Sequence, residues 1–234
     1  MPAKPPISET GTALAISYLT LGVAALLPGC TGRRGGARNR ADRESHELSV
    51  AHVANLTAAA RYADAICLPF TRMVTIHWEA AGLPLDRMAG ATGHFTDLMT
   101  KALARHGSST AWLWAHENGD RKGGHCHLLA HVPPSLVALL TRLQRGWLRG
   151  ITGKPYRPRV IHSKPVGGRL GLEMGSPGLH AVNVDAVLSY VLKGASGAAA
   201  SQFKLERLEP GGRVIGKRCG TSQNIGAKAR KAEN

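Results

Sequence analysis

Three histidines punctuate one short apolar run, His125-Cys126-His127-Leu128-Leu129-Ala130-His131-Val132, which follows a polar, glycine-rich stretch from Asn118 to Gly124. That pattern reads as a strand returning from a turn, paired with the run Ala111 to Glu117 before it. Side chains on a strand alternate between faces, so His125, His127, Leu129 and His131 share one side while Cys126, Leu128 and Ala130 take the other. Two imidazoles separated by one apolar residue can converge on a single cation. Glu117 ends the first strand, across the turn from His125, and adds a carboxylate oxygen. A His-His-Glu set with open positions suits a divalent ion that must also hold a phosphate. Mg²⁺ or Mn²⁺ meets that need, and the imidazoles favour Mn²⁺. Cys126 alternates away from this face, which argues against a zinc site built on it. His116 and His131 are expected beside the ligands or at the surface rather than among them.

A second constellation centres on Tyr190, 63 residues after His127. Val184 to Lys193 reads as a helix capped by Asn183 and ended by Gly194, with Val184, Val187, Leu188 and Val191 as its apolar stripe. Tyr190 lies off that stripe, and Lys193 neighbours it three residues on. A phenol beside a lysine and a metal-bound phosphate is a candidate nucleophile, because nearby positive charge favours the phenolate. The plainer alternative is an exposed helix tyrosine.

The remaining pattern supplies the scaffold. A helix is expected from about His46 to Ala65, a strand across Phe70 to Trp78, and a helix from Thr92 to His106 stopped by Gly107. Pro133-Pro134 opens a further helix to about Leu148, and Arg159 to His162 reads as a short strand. The 234 residues carry 30 Lys+Arg against 15 Asp+Glu, a formal charge of +15, with 43% hydrophobic residues. Enough apolar residue is present to bury a core, which excludes a disordered polyelectrolyte. The charge points to a polyanionic partner, nucleic acid before an acidic membrane surface. Four scattered cysteines without a C-x-x-C pair exclude a disulfide scaffold and suit a reducing cytoplasm.

His116-Glu117-Asn118-Gly119, then Gly124-His125-Cys126-His127-Leu128-Leu129, then Tyr190-Val191-Leu192-Lys193, together resemble the HUH endonuclease superfamily, and within it the single-tyrosine rolling-circle replication initiators. The order, histidines before tyrosine, is similar to the initiators and opposite to relaxases. Met73 to Trp78 occupies the place of their first motif. The resemblance covers about residues 68–197 and implies an α+β fold, a central antiparallel β-sheet flanked by helices. It divides the chain into an N-terminal helical and basic extension (1–67), the endonuclease domain (68–197) and a basic C-terminal tail (198–234). It also implies a metal held by Glu117, His125 and His127, and attack by Tyr190 on a phosphodiester of single-stranded DNA at a replication origin. Lys193 then positions the phosphate or lowers the tyrosine pKa. A single tyrosine in the motif helix disfavours a two-tyrosine cycle. No Walker A motif occurs, so a separate helicase is expected.

Lys154, Arg157 and Arg159, ahead of the motif helix, are candidate DNA contacts. So are Arg213, Lys217, Arg218, Lys228, Arg230 and Lys231 in the tail, against a plain solvated face. The apolar run Leu14–Leu27 is shorter than the roughly 20 residues of a membrane span, lacks a basic leader and is followed by Arg33-Arg34. It is expected to be a structural segment, the protein cytoplasmic and without a stable membrane partner. Other readings of the same residues are an HUH-type tyrosine transposase, a non-catalytic nucleic-acid-binding protein, or a zinc hydrolase.

Overall fold

The structure, a computed structural model, describes residues 42–120, 122–167 and 176–232. The apolar run 14–27, Cys30 and the basic residues up to 41 lie outside them. In chain order the elements are β1 (Glu44–Ser45), α1 (Val50–Ala65), β2 (Arg72–Ile76), α2 (Met88–Ala104), β3 (Trp112–Gly119), β4 (Gly123–Ala130), α3 (Val137–Thr152), β5 (Ile161–Pro165), α4 (Pro177–Val191), α5 (Gly197–Phe203), β6 (Val214–Ile215), β7 (Cys219–Thr221) and α6 (Ala227–Ala232).

Five strands form one antiparallel sheet in the order β5-β2-β4-β3-β7, and β1 pairs with β6 in a separate two-stranded ribbon. The hairpin β3–β4 is the longest pairing. Its register sets Glu117 opposite His125, Ala115 opposite His127 and Leu113 opposite Leu129. β2 places Thr75 opposite His127, and β5 places His162 opposite Thr75. Strand alternation then divides the sheet into two faces. Cys126, Leu128 and Ala130, with Val74, Ile76 and Trp114, pack against Met88, Phe95, Met99 and Leu103 of α2 and Leu140 and Leu148 of α3. Leu113, Ala115 and Leu129 pack against Val53 and Leu56 of α1, Leu188 and Val191 of α4, and Ala199 of α5. The fold is α+β, an antiparallel sheet between two helical layers. Both faces are buried, so the histidine face is core at its Leu129 end and becomes a site only toward the turn.

Local signals account for most element ends. Ser49 caps α1: its hydroxyl accepts from the His52 amide, and His52 Nδ1 accepts from the Ser49 amide. Gly153, at φ 64, closes α3 in the left-handed region. The expected helix at Val184 in fact begins at Pro177, with Pro at its first turn and Ser176 before it. Asn183 is therefore an interior residue and no cap. Residues beyond 197 are also more than a basic extension. They supply α5, β6, β7 and α6, and β7 is a strand of the central sheet beside β3. The described residues belong to one compact unit. Among the described residues no helix is long and apolar enough to cross a membrane.

Candidate active site

The hairpin delivers its three chemical side chains to one point. Glu117 Oε2 lies 3.3 Å from His125 Nε2 and 3.4 Å from His127 Nε2, and all three residues are at most 4% exposed. One ligand atom from each falls within 4.8 Å of the others, the only such histidine, cysteine and carboxylate cluster among the described residues. Both rings are held from behind. His125 Nδ1–H donates to the Gly123 carbonyl (2.8 Å), which aims Nε2 at Glu117. His127 Nδ1 is held by the Thr75 hydroxyl at 3.1 Å. Fixing the far nitrogen in this way orients a metal-binding imidazole. Burial lowers the pKa of His127, which favours the neutral, ligating ring. Glu117 Oε1 and His127 Nε2 have no hydrogen-bond partner although buried. Orphaned acceptors of that kind are costly, and a divalent cation between them would satisfy both. The donor set fits such an ion.

Electrostatics favour an ionised carboxylate here. Burial by itself would raise the Glu117 pKa, but His125, His127 and Lys193 outweigh it and hold the carboxyl well below the usual range. Lys193 is 4% exposed, and its ammonium is hydrogen-bonded to Glu117 Oε2. A second carboxylate, Glu209 Oε2, stands 3.1 Å from the same ammonium. The Glu209 amide also donates to the Lys193 carbonyl at 2.8 Å. Glu209 is in turn bonded to the Arg207 guanidinium. The side chains Arg207, Glu209, Lys193 and Glu117 thus form a chain of alternating charge.

Tyr190 projects from α4 against this cluster. Its ring meets the His127 ring edge-on with centroids 5.0 Å apart. Two cations flank the ring, Lys193 Nζ at 5.1 Å and the Arg207 guanidinium at 5.0 Å from its centroid. Outside it opens a groove of about 720 Å³, lined by Thr75, His77, Lys122, His127, His162, Lys164, Tyr190 and Arg207 among others, with no carboxylate in its walls. A smaller recess of about 250 Å³ on the other side is lined by Glu117, His125, Lys193 and Glu209.

The other expected residues fall in several places. His116 faces the opposite core, where its ring packs on Trp114 with centroids 4.3 Å apart. Its nitrogens meet Thr92 Oγ1 at 2.8 Å and the Lys217 carbonyl at 2.9 Å, and burial takes its pKa down to about 3. It is a core histidine, turned away from the ligands by the same alternation that brings Glu117 to them. His131 bonds the Pro69 carbonyl far along the strand. Lys154, Arg157 and Arg159 are exposed on the loop entering β5; Lys154 Nζ reaches the Gly82 carbonyl at 2.8 Å and Arg157 the Ala80 carbonyl at 3.3 Å. Arg213 is paired with Glu44, and Lys217 is exposed. Arg218 is 3% exposed, its guanidinium donating to the Ser45 and Gly212 carbonyls, so its placement is that of a structural arginine.

Sequence reasoning missed Thr75, Glu209, Arg207 and the pair His77–His162. His77 stacks on His125 at 5.4 Å and meets His162 edge-on at 5.7 Å; burial, then the neighbouring histidines and Lys122, bring its pKa down to about 4. Thr75 and His77 were visible as alternate residues of the run Phe70 to Trp78. Nothing near Arg207 or Glu209 in sequence marks them.

No family model matches the chain, and no curated protein matches it. Among solved structures, a weak similarity is found to the N-terminal nuclease domain of non-structural protein 1 of minute virus of mice. The two are 11% identical, with 57% of this chain and 70% of that chain covered at a TM-score of 0.28. That domain is described as having Zn²⁺ coordination in its active-site pocket and a mode of DNA recognition at the origin of replication. At this level of likeness the chemistry of the present chain rests on its own geometry.

Proposed function

We propose that the protein is a metal-assisted DNA strand transferase, a rolling-circle initiator that nicks and rejoins single-stranded origin DNA through Tyr190. The observation that carries this reading is the packing of the Tyr190 ring on His127. A nucleophile-bearing side chain lies against a buried Glu-His-His set, at the mouth of a groove that Lys122, Lys164 and Arg207 line without any carboxylate.

Glu117, His125 and His127 would hold the ion, Mn²⁺ or Mg²⁺. When bound it polarises the phosphate and stabilises the charge that develops on its oxygens. The remaining work belongs to the chain. Lys122, Lys164 and Arg207 line the groove and attract the phosphate backbone. Lys154, Arg157, Arg159 and Lys217 are further exposed cations that would contact the DNA backbone. Tyr190 Oη attacks phosphorus as the bond to the 3′ oxygen breaks. The phenol loses its proton, the 3′ oxygen gains one, and a 5′-phosphotyrosine with a free 3′-hydroxyl results. Arg207 and Lys193 flank the ring, so two cations stand beside the nucleophile. Attack by a 3′-hydroxyl on the phosphotyrosine reverses the step and rejoins the strand. A separate helicase would open the template.

The test incubates the protein with single-stranded oligonucleotides from its own replicon and Mn²⁺, then examines denaturing gels and mass spectra. An adduct at Tyr190, lost with EDTA and with Tyr190→Phe, is the expected result. Salt-sensitive binding without any adduct would assign a non-catalytic binder instead.

A further inference from the structure

Lys193 occupies an unusual position for a residue assigned to the phosphate. Its ammonium is buried against Glu117 Oε2, the oxygen that also faces both histidine Nε2 atoms. A monovalent cation therefore already sits on the carboxylate that a divalent ion must take. A second carboxylate waits beside it: Glu209 Oε2 is 3.1 Å from the same nitrogen, on a segment fastened at both of its ends. The Glu209 amide bonds the Lys193 carbonyl at 2.8 Å, and the Gly211 carbonyl accepts from the Asn118 amide at 2.9 Å. Arg207 holds the other oxygen of Glu209.

We infer that Lys193 is handed from Glu117 to Glu209 when a divalent cation binds, so that Glu209 sets how readily the site is loaded. This rests on the metal reading of Glu117, His125 and His127. Two cations cannot share one carboxylate oxygen without strong mutual repulsion at this separation and burial. If Lys193 had no other acceptor, loading would leave a buried ammonium unpaired. Glu209 removes that penalty because it keeps one hydrogen-bonded charge pair on Lys193 throughout. Its partner Arg207 stays over Tyr190, so the handover leaves the cations around the nucleophile in place. Glu209 is thus a positioning residue: it acts on the metal through Lys193.

Calorimetric titration of the purified full chain with MnCl₂ tests this without recourse to cleavage. Glu209→Gln should weaken Mn²⁺ binding about tenfold, and Lys193→Met, which removes the competing ammonium, should tighten it by about the same factor. In the Lys193→Met background, Glu209→Gln should change the affinity less than twofold, because the residue it serves is gone. The Glu209 side chain is 42% exposed, so Glu209→Gln alone reports on the handover even if Lys193→Met fails to fold. Wild-type binding that is indifferent to Glu209→Gln would overturn the handover while leaving the metal site standing. An equal effect of Glu209→Gln with and without Lys193 would also overturn it. Absence of Mn²⁺ binding in the wild type, Glu209→Gln and Lys193→Met alike would overturn the handover and the metal reading together.

Discussion

Removing the Glu117 charge while keeping its shape exposes how the metal-free site is held together. Glu117→Gln leaves the Lys193 ammonium buried, 4% exposed, with its main partner neutral and only Glu209 at 3.1 Å to answer it. Breaking a buried ion pair from one side costs roughly 3–5 kcal/mol, and the surviving Glu209 contact places this case at about 3 kcal/mol. In urea denaturation with EDTA at pH 7, an m-value of about 2 kcal/mol/M converts that into a midpoint lower by about 1.5 M. The Glu117 carboxyl is held below its usual range in the folded chain. Its contribution is therefore complete above the ordinary carboxylate pKa and declines as pH falls toward the lowered folded value. The gap between wild type and Glu117→Gln should narrow as the pH is taken below that ordinary range. Lys193→Met supplies the cross-check: with the ammonium gone, Glu117→Gln should cost at least about 2 kcal/mol less than in the wild type. Equal midpoints for wild type and Glu117→Gln in EDTA, or an unchanged cost in the Lys193→Met background, would refute the picture of a buried, charge-paired site.

Three further outcomes follow from other contacts. Thr75→Val removes the hydroxyl 3.1 Å behind His127 with little change of volume; Mn²⁺ affinity should fall roughly 10–100-fold in calorimetry while the urea midpoint in EDTA barely moves. His116 titrates near 6.5 when unfolded but about 3 in the core, so its contribution is full above pH 6.5 and drains as pH falls from there toward 3. Urea midpoints measured from pH 6 to 4 should show His116→Gln losing stability less steeply than wild type, by about 1.4 kcal/mol per pH unit; parallel slopes would count against a neutral buried ring. Gly212, at φ 66, passes so close to β3 that a Cβ there would stand 1.6 Å from the Asn118 carbonyl oxygen. Gly212→Ala should therefore cost about 3 kcal/mol or more in urea and quicken proteolysis near residues 205–212; a wild-type midpoint would contradict the tight crossing.

Period-two patterning made the hairpin legible, and with it the shared face of Glu117, His125 and His127. Every partner in that set lies within eleven positions of the others, so alternation and one turn were enough. Tyr190 was legible as a residue off the apolar stripe of α4, although the helix starts seven residues earlier than its stripe suggests. The stripe begins only where the helix meets the sheet, and Pro177 sets the true start. β7 was illegible because Cys219-Gly220-Thr221 has neither length nor alternation; its strand character comes from β3 alone. Arg207 and Glu209 were hidden for a related reason. They occupy a loop rich in charge, and their roles arise from crossing Lys193 and Tyr190, which only the folded chain reveals. Arg218 looked like its basic neighbours, yet burial made it structural.

The hairpin also divides the site in time. Its three candidate ligands are local in sequence, and a hairpin closes within about 1–10 μs once its residues are free to pair. Tyr190 belongs to a helix, and Lys193 to the turn that follows it, which dock across a separation of more than sixty residues, and Glu209 joins later still in chain order. Contacts so far apart are slow to form, because loop closure must precede them. During synthesis Glu117, His125 and His127 can therefore come together before Tyr190 and Lys193 reach them. An interrupted chain would carry the three candidate ligands without Tyr190, the nucleophile of the proposed mechanism, and without Glu209.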